Sequence, residues 1–345
     1  MTIVQKLKQL SIVGSVVVMP DFFVDRIIRL ESNEHLAQIL SEKAKRGGGS
    51  VRGVPTCDVK GGNAVNVAYA LAKLGAKVAL FTIADDVGAA IIRQAFAKFG
   101  ERADLRIVQG KHGLTTSFEF PHENNRVNVM VSDIHDNADF GPVRINSEQD
   151  KAVLAAADGV IVVNWASNIK GTELAEFAFK NSPTAFHMLD PADIEARKDE
   201  FRDSLGKLRD ITDCLSINEN ECDILAQSMG LGDLLGNNHG ADENKKAAHT
   251  LAQKLGMSVD LHTKTGAAWS NGNETAFAHS IKVEEKTITG AGDVWDAADM
   301  LGHLIGLEPA ERLLFANCCA SLYVRNPDGE PPEMNRVFEL VERVQ

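Results

Sequence analysis

From residue 159 onward, short β-branched apolar runs alternate with amphipathic stretches, and no other feature constrains the fold of this 345-residue chain as much. Gly159 to Val163, Thr184 to Leu189, Asp213 to Ile217 and Ser258 to His262 read as strands. Thr172 to Lys180, the stretch ending near Met229, and Lys245 to Leu255 read as the helices between them. A chain that alternates in this way builds a mostly parallel sheet with helices on both faces. Ser11 to Met19 and Lys77 to Ile83 read as further buried strands, and Ala89 to Phe99 as a helix. Leu114 to Phe120 and Arg126 to Ser132 alternate apolar and polar residues around the polar turn His122 to Asn125, a hairpin signature. Glu31 to Lys60 is different: polar, helical around His35 to Lys45, then glycine-rich at Arg46-Gly47-Gly48-Gly49-Ser50. No Gly-Lys-Ser/Thr follows those glycines, so the segment reads as a flexible flap and not as a phosphate loop. Gly232 to Glu243 reads as a surface loop.

Length alone leaves open one large α/β domain with an appended lid or two domains. Lys plus Arg is 36 against 48 for Asp plus Glu, a net charge of −12. That balance argues against nucleic acid or an anionic membrane as the main partner, though not against a local anion site. No apolar run approaches the ~20 residues that span a bilayer. Cys57, Cys214, Cys222, Cys318 and Cys319 show neither CxxC spacing nor a companion histidine cluster. They suit reduced thiols in a cytoplasmic protein better than a disulfide framework or a zinc site.

Two segments carry chemistry. Thr289-Gly290-Ala291-Gly292-Asp293 opens the largely apolar stretch Val294 to Ile305. Two glycines flanking a small residue let the backbone turn sharply with its N–H groups pointing one way, and a helix start behind them adds the positive end of its dipole. Such a loop suits charge developing on a phosphoryl group, and Asp293 at its exit can take a proton from an attacking hydroxyl. The alternative is a tight strand-to-helix turn with an early-turn aspartate. Far upstream, Gly61-Gly62-Asn63-Ala64-Val65-Asn66-Val67-Ala68 runs on to Leu74-Gly75. Residues 64, 67, 68, 71 and 74 make one helical face, and Gly75 stands where a C-cap glycine belongs. Asn66, in the first turns, has a donor and an acceptor for a polyol; a surface asparagine is the plain alternative.

Together these elements resemble the paired signatures of the ribokinase-like carbohydrate kinases, the PfkB family, over about Ile12 to Val324. The resemblance implies a three-layer α/β/α fold with a mostly parallel central sheet. It also implies one kinase domain over residues 1–345, with a small β-sheet lid from about 20–60 and 112–133. It further implies ATP as donor, Mg²⁺, and a sugar, polyol or nucleoside acceptor. Asp293 would be the base, with the Gly290, Ala291 and Gly292 amides stabilising the transferring group. Gly61, Gly62, Asn66 and Asp25 would hold the acceptor; Asp25 opens the apolar run that matches the family's substrate aspartate, with Asp21 in reserve.

Three further groups fall where the family places nucleotide and metal contacts. Asn218-Glu219-Asn220-Glu221 is similar to the family's Asn-x-x-Glu, making Asn218 a nucleotide contact and Glu221 a metal contact. An acidic helix start accounts for it equally well. Thr263, Lys264 and Gly266 occupy the turn around the nucleotide phosphates, with Thr263 where the family has a glycine; Asn317 falls on the adenine wall. Asp190-Pro191 also ends a strand, but Ala192-Asp193 departs from the family pattern. Thr287-Ile288 replaces the Asp-Thr that commonly precedes the catalytic loop, which removes the basis for monovalent-cation activation. The edge of the lid sheet suits a two-fold partner, giving a homodimer through the lid, or else protection by charges such as Glu119 and Arg126. The expected function is ATP-dependent phosphorylation of a sugar or polyol. A nucleoside kinase of the same fold and a catalytically silent binding protein are the alternatives. A nicotinamide-dependent dehydrogenase is disfavoured, because Gly290-Ala291-Gly292 lacks the third glycine and does not follow the first strand.

Overall fold

The computed structural model describes residues 2–8, 14–122, 125–236, 240–287 and 289–344. The start of the expected first strand (11–13), the centre of the polar turn (123–124), part of the expected loop (237–239) and Ile288 lie outside the described residues. In chain order the strands are β1 (Ser15–Met19), β2 (Phe23–Arg29), β3 (Thr56–Gly61), β4 (Lys77–Ala84), β5 (Ala103–Gln109), β6 (Gly113–His122), β7 (Asn125–Asp133), β8 (Gly159–Val163), β9 (Phe186–Asp190), β10 (Cys214–Asn218), β11 (Ser258–Thr263), β12 (Gly266–Ser270) and β13 (Thr275–His279). The helices are α1 (Ile3–Leu7), α2 (Asn33–Lys45), α3 (Asn63–Lys73), α4 (Asp86–Phe96), α5 (Glu148–Ala155), α6 (Gly171–Lys180), α7 (Lys198–Leu208), α8 (Glu219–Ser228), α9 (Ala241–Leu255), α10 (Ala291–Leu304), α11 (Pro309–Val324) and α12 (Met334–Val344).

Nine strands form the central sheet in the order β13-β12-β11-β10-β9-β8-β1-β4-β5. The strands from β11 to β5 pair in parallel, and β12 and β13 close one edge as an antiparallel hairpin. Period-2 alternation divides each central strand between two cores. Val16 and Val18 pack with α3, α10 and α11, whereas Val17 and Met19 pack with α6, α7, α8 and α9. That is the expected three-layer α/β/α arrangement. From β1 the chain moves outward through β4 to β5, then returns to the other side of β1 as β8. The reversal between β1 and β8 opens a crevice at the carboxyl ends of the strands, where open α/β sheets take their ligands.

A second, four-stranded sheet runs β3-β2-β6-β7, built from the two segments expected to form a lid. Its β6–β7 hairpin matches the expected one. Glu31 to Lys60, in contrast, is more than a flap, since its last residues are β3, paired antiparallel with β2. The sequence reading also passed over β5, α7 and the β12–β13 hairpin. Their local signals are weak: β5 carries Asp104 and Arg106, α7 is dominated by charge, and β12 is Gly266-Ala267-Ala268-Trp269-Ser270.

Behind the sheet lies a buried polar group that no spacing rule exposed. Cys214 Sγ, an Asp260 oxygen and a His303 ring nitrogen come within 4.8 Å of one another. A metal there would sit against a guanidinium, because Arg312 donates to both Asp260 oxygens at 2.9 Å and also holds Asp299. Burial alone would raise the Asp260 pKa, but Arg312 outweighs it and holds the carboxyl well below the usual range. The group is therefore a closed ion network tying α11 to α10 and β11. Arg312→Met leaves Asp260 as a buried charge without its partner and should cost ~3–5 kcal/mol in urea unfolding, with much of the loss recovered by adding Asp260→Asn. A wild-type midpoint for Arg312→Met would show that the network carries no stability.

Candidate active site

The crevice is built by a tight join between β3 and α3. Gly62 has φ 92°, and a Cβ there would lie 2.8 Å from Asp21 O and Phe22 Cα; no other residue fits this approach. A Cβ on Gly61 would fall 2.0 Å from an Asp25 oxygen, so Gly61 makes room for that carboxylate. Asp21 anchors the join. Its oxygens accept from the backbone N–H of Asn63 (3.0 Å) and Ala64 (2.8 Å), and from Asn164 Nδ2 (2.9 Å) across the crevice. The reserve aspartate is thus occupied in capping α3. Asp25 lies on β2 opposite Thr115 and Val59; burial raises its pKa, with the Thr115 hydroxyl opposing. Of the two, Asp21 is the one consumed by backbone and amide hydrogen bonds.

The small face of α3, Ala64, Val67, Ala68 and Leu71, is buried in the core it shares with α10. This brings the two motifs together across 230 residues of chain: Asn63 Nδ2 donates to Asp293 Oδ1 and Asn66 Nδ2 to Asp293 Oδ2, both at 2.9 Å. Asp293 is 5% exposed. Burial raises its carboxyl to about 7, assisted by Asp190 and Asp21 and opposed by the two amides. Asn66 is not a free polyol ligand, because Lys60 Nζ also lies 3.3 Å from its Oδ1. The sequence reading missed Asn63 and Lys60 as site residues, although both flank the glycine pair.

Gly290, with φ 88°, is the N-cap of α10 and no side chain caps it. The first intrahelical bond there is Val294 N–H to Gly290 O. Among the described residues, the amides of Ala291, Gly292 and Asp293 are therefore the unsatisfied first-turn donors, at the same end of the helix as the carboxylate. A buried base beside uncapped amides can take a proton from a hydroxyl and stabilise an anion that forms next to it.

The remaining expected contacts divide. Asn218 and Glu221 form a capping box at the start of α8: Asn218 N–H donates to Glu221 Oε2 (2.9 Å) and Asn218 Nδ2 to Oε1 (2.7 Å). Glu221 is nevertheless buried with its pKa raised, by desolvation and by Asp190. Asp190, which the sequence reading set aside, is hydrogen-bonded to Asp296, and Ser216 Oγ donates to Asp296 Oδ1 at 2.5 Å. Asp296 Oδ2 is buried with no donor among the described residues. Carboxylates crowded in this way fit a hard cation that accepts oxygen ligands and keeps its waters.

Thr263 to Gly266 is a tight hairpin turn between β11 and β12. The Thr263 hydroxyl donates to Gly266 O (2.9 Å), and a Cβ on Gly266 would strike Ala278 O at 2.4 Å. Lys264 is exposed, and its N–H donates to Glu219 Oε2 at 3.1 Å. Asn317 stands on α11 with its amide turned into the protein. Its Nδ2 donates to Ala278 O and His279 O, and its Oδ1 accepts from Trp295 Nε1 at 2.8 Å, so the amide is spent inside the protein. His262 packs 5.0 Å from the Trp295 ring beside Gly292, and burial pushes it down to about 4, which keeps it neutral.

The two loop glycines differ in a testable way. A Cβ on Gly290 would meet Tyr323 Oη at 2.7 Å on a left-handed backbone, whereas one on Gly292 meets only the His262 ring at 3.5 Å. Gly290→Ala should cost about 1–3 kcal/mol in chemical denaturation, and Gly292→Ala should stay near wild type in stability. Equal stability losses would show that the positive-φ position is not what shapes the loop.

The profile of the pfkB family of carbohydrate kinases matches residues 43–334. Ribokinase of Bacillus subtilis (strain 168) is 26% identical over 308 residues, covering 88% of this chain and 94% of that protein. Arabidopsis thaliana ribokinase, solved with ribose and ATP, superposes with a TM-score of 0.72 at 20% identity, over 95% of this chain and 98% of that one. An E. coli structure in complex with ATP and Mg²⁺ gives a TM-score of 0.67 at 17% identity, over 96% and 99%. No helix among the described residues is long and apolar enough to cross a membrane. With both glycine motifs meeting at Asp293 in the crevice, the chain belongs to the pfkB family of carbohydrate kinases.

Proposed function

We propose that the protein transfers the γ-phosphoryl group of ATP to a hydroxyl of a sugar or related polyol, with Asp293 as the catalytic base. The observation that carries this reading is the buried Asp293 carboxylate, held by two amides at an uncapped helix N-terminus. Asp25 and Gly61 bound the acceptor side, where a carboxylate can accept from adjacent hydroxyls. Asp293 removes the proton from the attacking hydroxyl, and the first-turn amides of α10 stabilise charge on the transferring group. Lys264, on the exposed turn, reaches a nucleotide phosphate. Glu221, with Asp190 and Asp296, would hold Mg²⁺, which neutralises phosphate charge when bound. The relatives solved with ATP, with ribose and with Mg²⁺ support the donor, the acceptor class and the metal. The four-stranded sheet acts as the lid that excludes water. A homodimer through this sheet belongs to the same proposal: Leu114, Val129 and Val131 are exposed on one of its faces, and a monomer by light scattering would remove it.

ATP consumption screened across sugars, polyols such as inositol, and nucleosides tests the reading. The expected outcome is highest kcat/KM on a sugar or polyol. Preference for a nucleoside would move the acceptor class, and silence with every acceptor would favour a binding protein. Asp293→Asn should lower turnover by ~10²–10⁴ with folding retained. Because the base must be deprotonated, wild-type kcat/KM should rise with pH up to about 7. A flat acid limb, or an active Asp293→Asn, would remove Asp293 as base.

A further inference from the structure

Lys60 is the last side chain of β3 before the glycine pair, and its ammonium end is turned inward. Its Nζ lies 3.3 Å from Asn66 Oδ1 and 4.1 Å from the centre of the Tyr69 ring. Asn66 presents its other end, Nδ2, to Asp293 Oδ2. The two ends of an amide are nearly equal in shape, so their partners decide which way the group faces. An ammonium only donates; it therefore takes the oxygen end and leaves the N–H end for the carboxylate. We propose that Lys60 is a positioning residue for the phosphoryl transfer, orienting Asp293 through Asn66 and holding it ionised with its own positive charge. The proposal rests on the reading of Asp293 as base.

The charge matters because Asp293 is buried within the field of three other carboxylates, Asp190 of β9, Asp21 after β1 and Asp296 of its own helix, with Tyr323 of α11 also in its field. Around Lys60 stand Asp293 of α10, Asp25 of β2 and Tyr69 of α3. Glu330 faces it from the segment between α11 and α12, and Lys98 from the turn after α4. Glu330 is already shared with Lys73 (2.8 Å), Lys98 (3.8 Å) and the Tyr69 hydroxyl (3.1 Å). Among the described residues, Asn66 supplies the hydrogen bond that Lys60 Nζ makes. Burial pushes the Lys60 ammonium down to about 8. Two ionisations then bracket neutrality with opposite signs: Asp293 has to have lost its proton, above about 7, and Lys60 has to have kept its own, below about 8. The pH profile of kcat/KM should be a narrow bell.

Three proteins test this. Lys60→Met keeps the chain length and removes the charge. It should lose the alkaline limb and move the acid limb upward by on the order of one pH unit, a roughly tenfold loss at pH 6.5. Lys60→Arg keeps a cation that does not titrate, so the acid limb should stay in place while the alkaline limb disappears. A Lys60→Met profile with both limbs unchanged overturns the proposal, and so does a Lys60→Arg enzyme as impaired as Lys60→Met. A second readout needs no turnover: ¹³C NMR titration of the Asp293 carboxyl in the acceptor-free protein. Its midpoint should rise in Lys60→Met and hold in Lys60→Arg; an unmoved midpoint in both overturns the linkage. A midpoint that moves as expected in a protein that phosphorylates no acceptor supports the Lys60–Asp293 linkage and removes the kinase reading.

Discussion

The contact on which the site depends is the pair of amide-to-carboxylate hydrogen bonds between α3 and α10. A lone carboxylate is costly to bury, and two 2.9 Å bonds from Asn63 and Asn66 with the uncapped start of α10 offset that cost without abolishing it. The result is a carboxyl raised by burial to about 7, as the proposed base requires. The same bonds set the spacing of the helices: they close only because Ala64, Val67 and Ala68 on α3 allow α10 to approach. Packing and site geometry are here a single requirement, and a bulkier residue on that face of α3 would displace the Asp293 carboxylate before it touched any ligand.

Topology explains why the site lies where it does. The chain leaves β1 in one direction and returns as β8 on the other side, so the loops after these strands diverge and leave a crevice between them. Asp21, after β1, and Asn164, after β8, bridge that crevice with a 2.9 Å hydrogen bond. The bridge presents Asp21 to the first amides of α3. One carboxylate thus anchors the floor, while Asp25, four residues on, has already entered the smaller sheet. Two aspartates close in sequence have different duties because a strand starts between them.

Much of this was legible in the sequence because it rests on local rules. Alternating strands and helices, the glycine pair before α3, and the loop before α10 each follow from backbone geometry within a few residues. What escaped was non-local. Asn317 sits on the right helix, yet its amide is consumed by Trp295 and the β13 backbone, which no spacing reveals. The partners at the two ends of the Asn66 amide, Lys60 and Asp293, are likewise set by the fold and not by spacing. β5 and β12 are strands by virtue of their neighbours in the sheet, against their own composition.

The stretch after Asp293 was read as largely apolar, and that simplification hid the most unusual property of α10. Asp293, Asp296 and Asp299 follow one another at intervals of three, and all are buried. Three negative charges on one buried helix would be ruinous if they were equivalent, and they are not. Asp296 is bonded to Ser216 and to Asp190, and burial raises its pKa well above the usual range. Asp299 is likewise raised by burial, though it touches Arg312, whose charge is balanced mainly by Asp260. Burial thus pushes both carboxyls toward their neutral form. Asp293 alone has two amide donors, the helix N-terminus and a nearby ammonium to favour its charged form. Of the three, it is the one whose surroundings combine several groups that favour the charged form, which is what the proposed role as base requires.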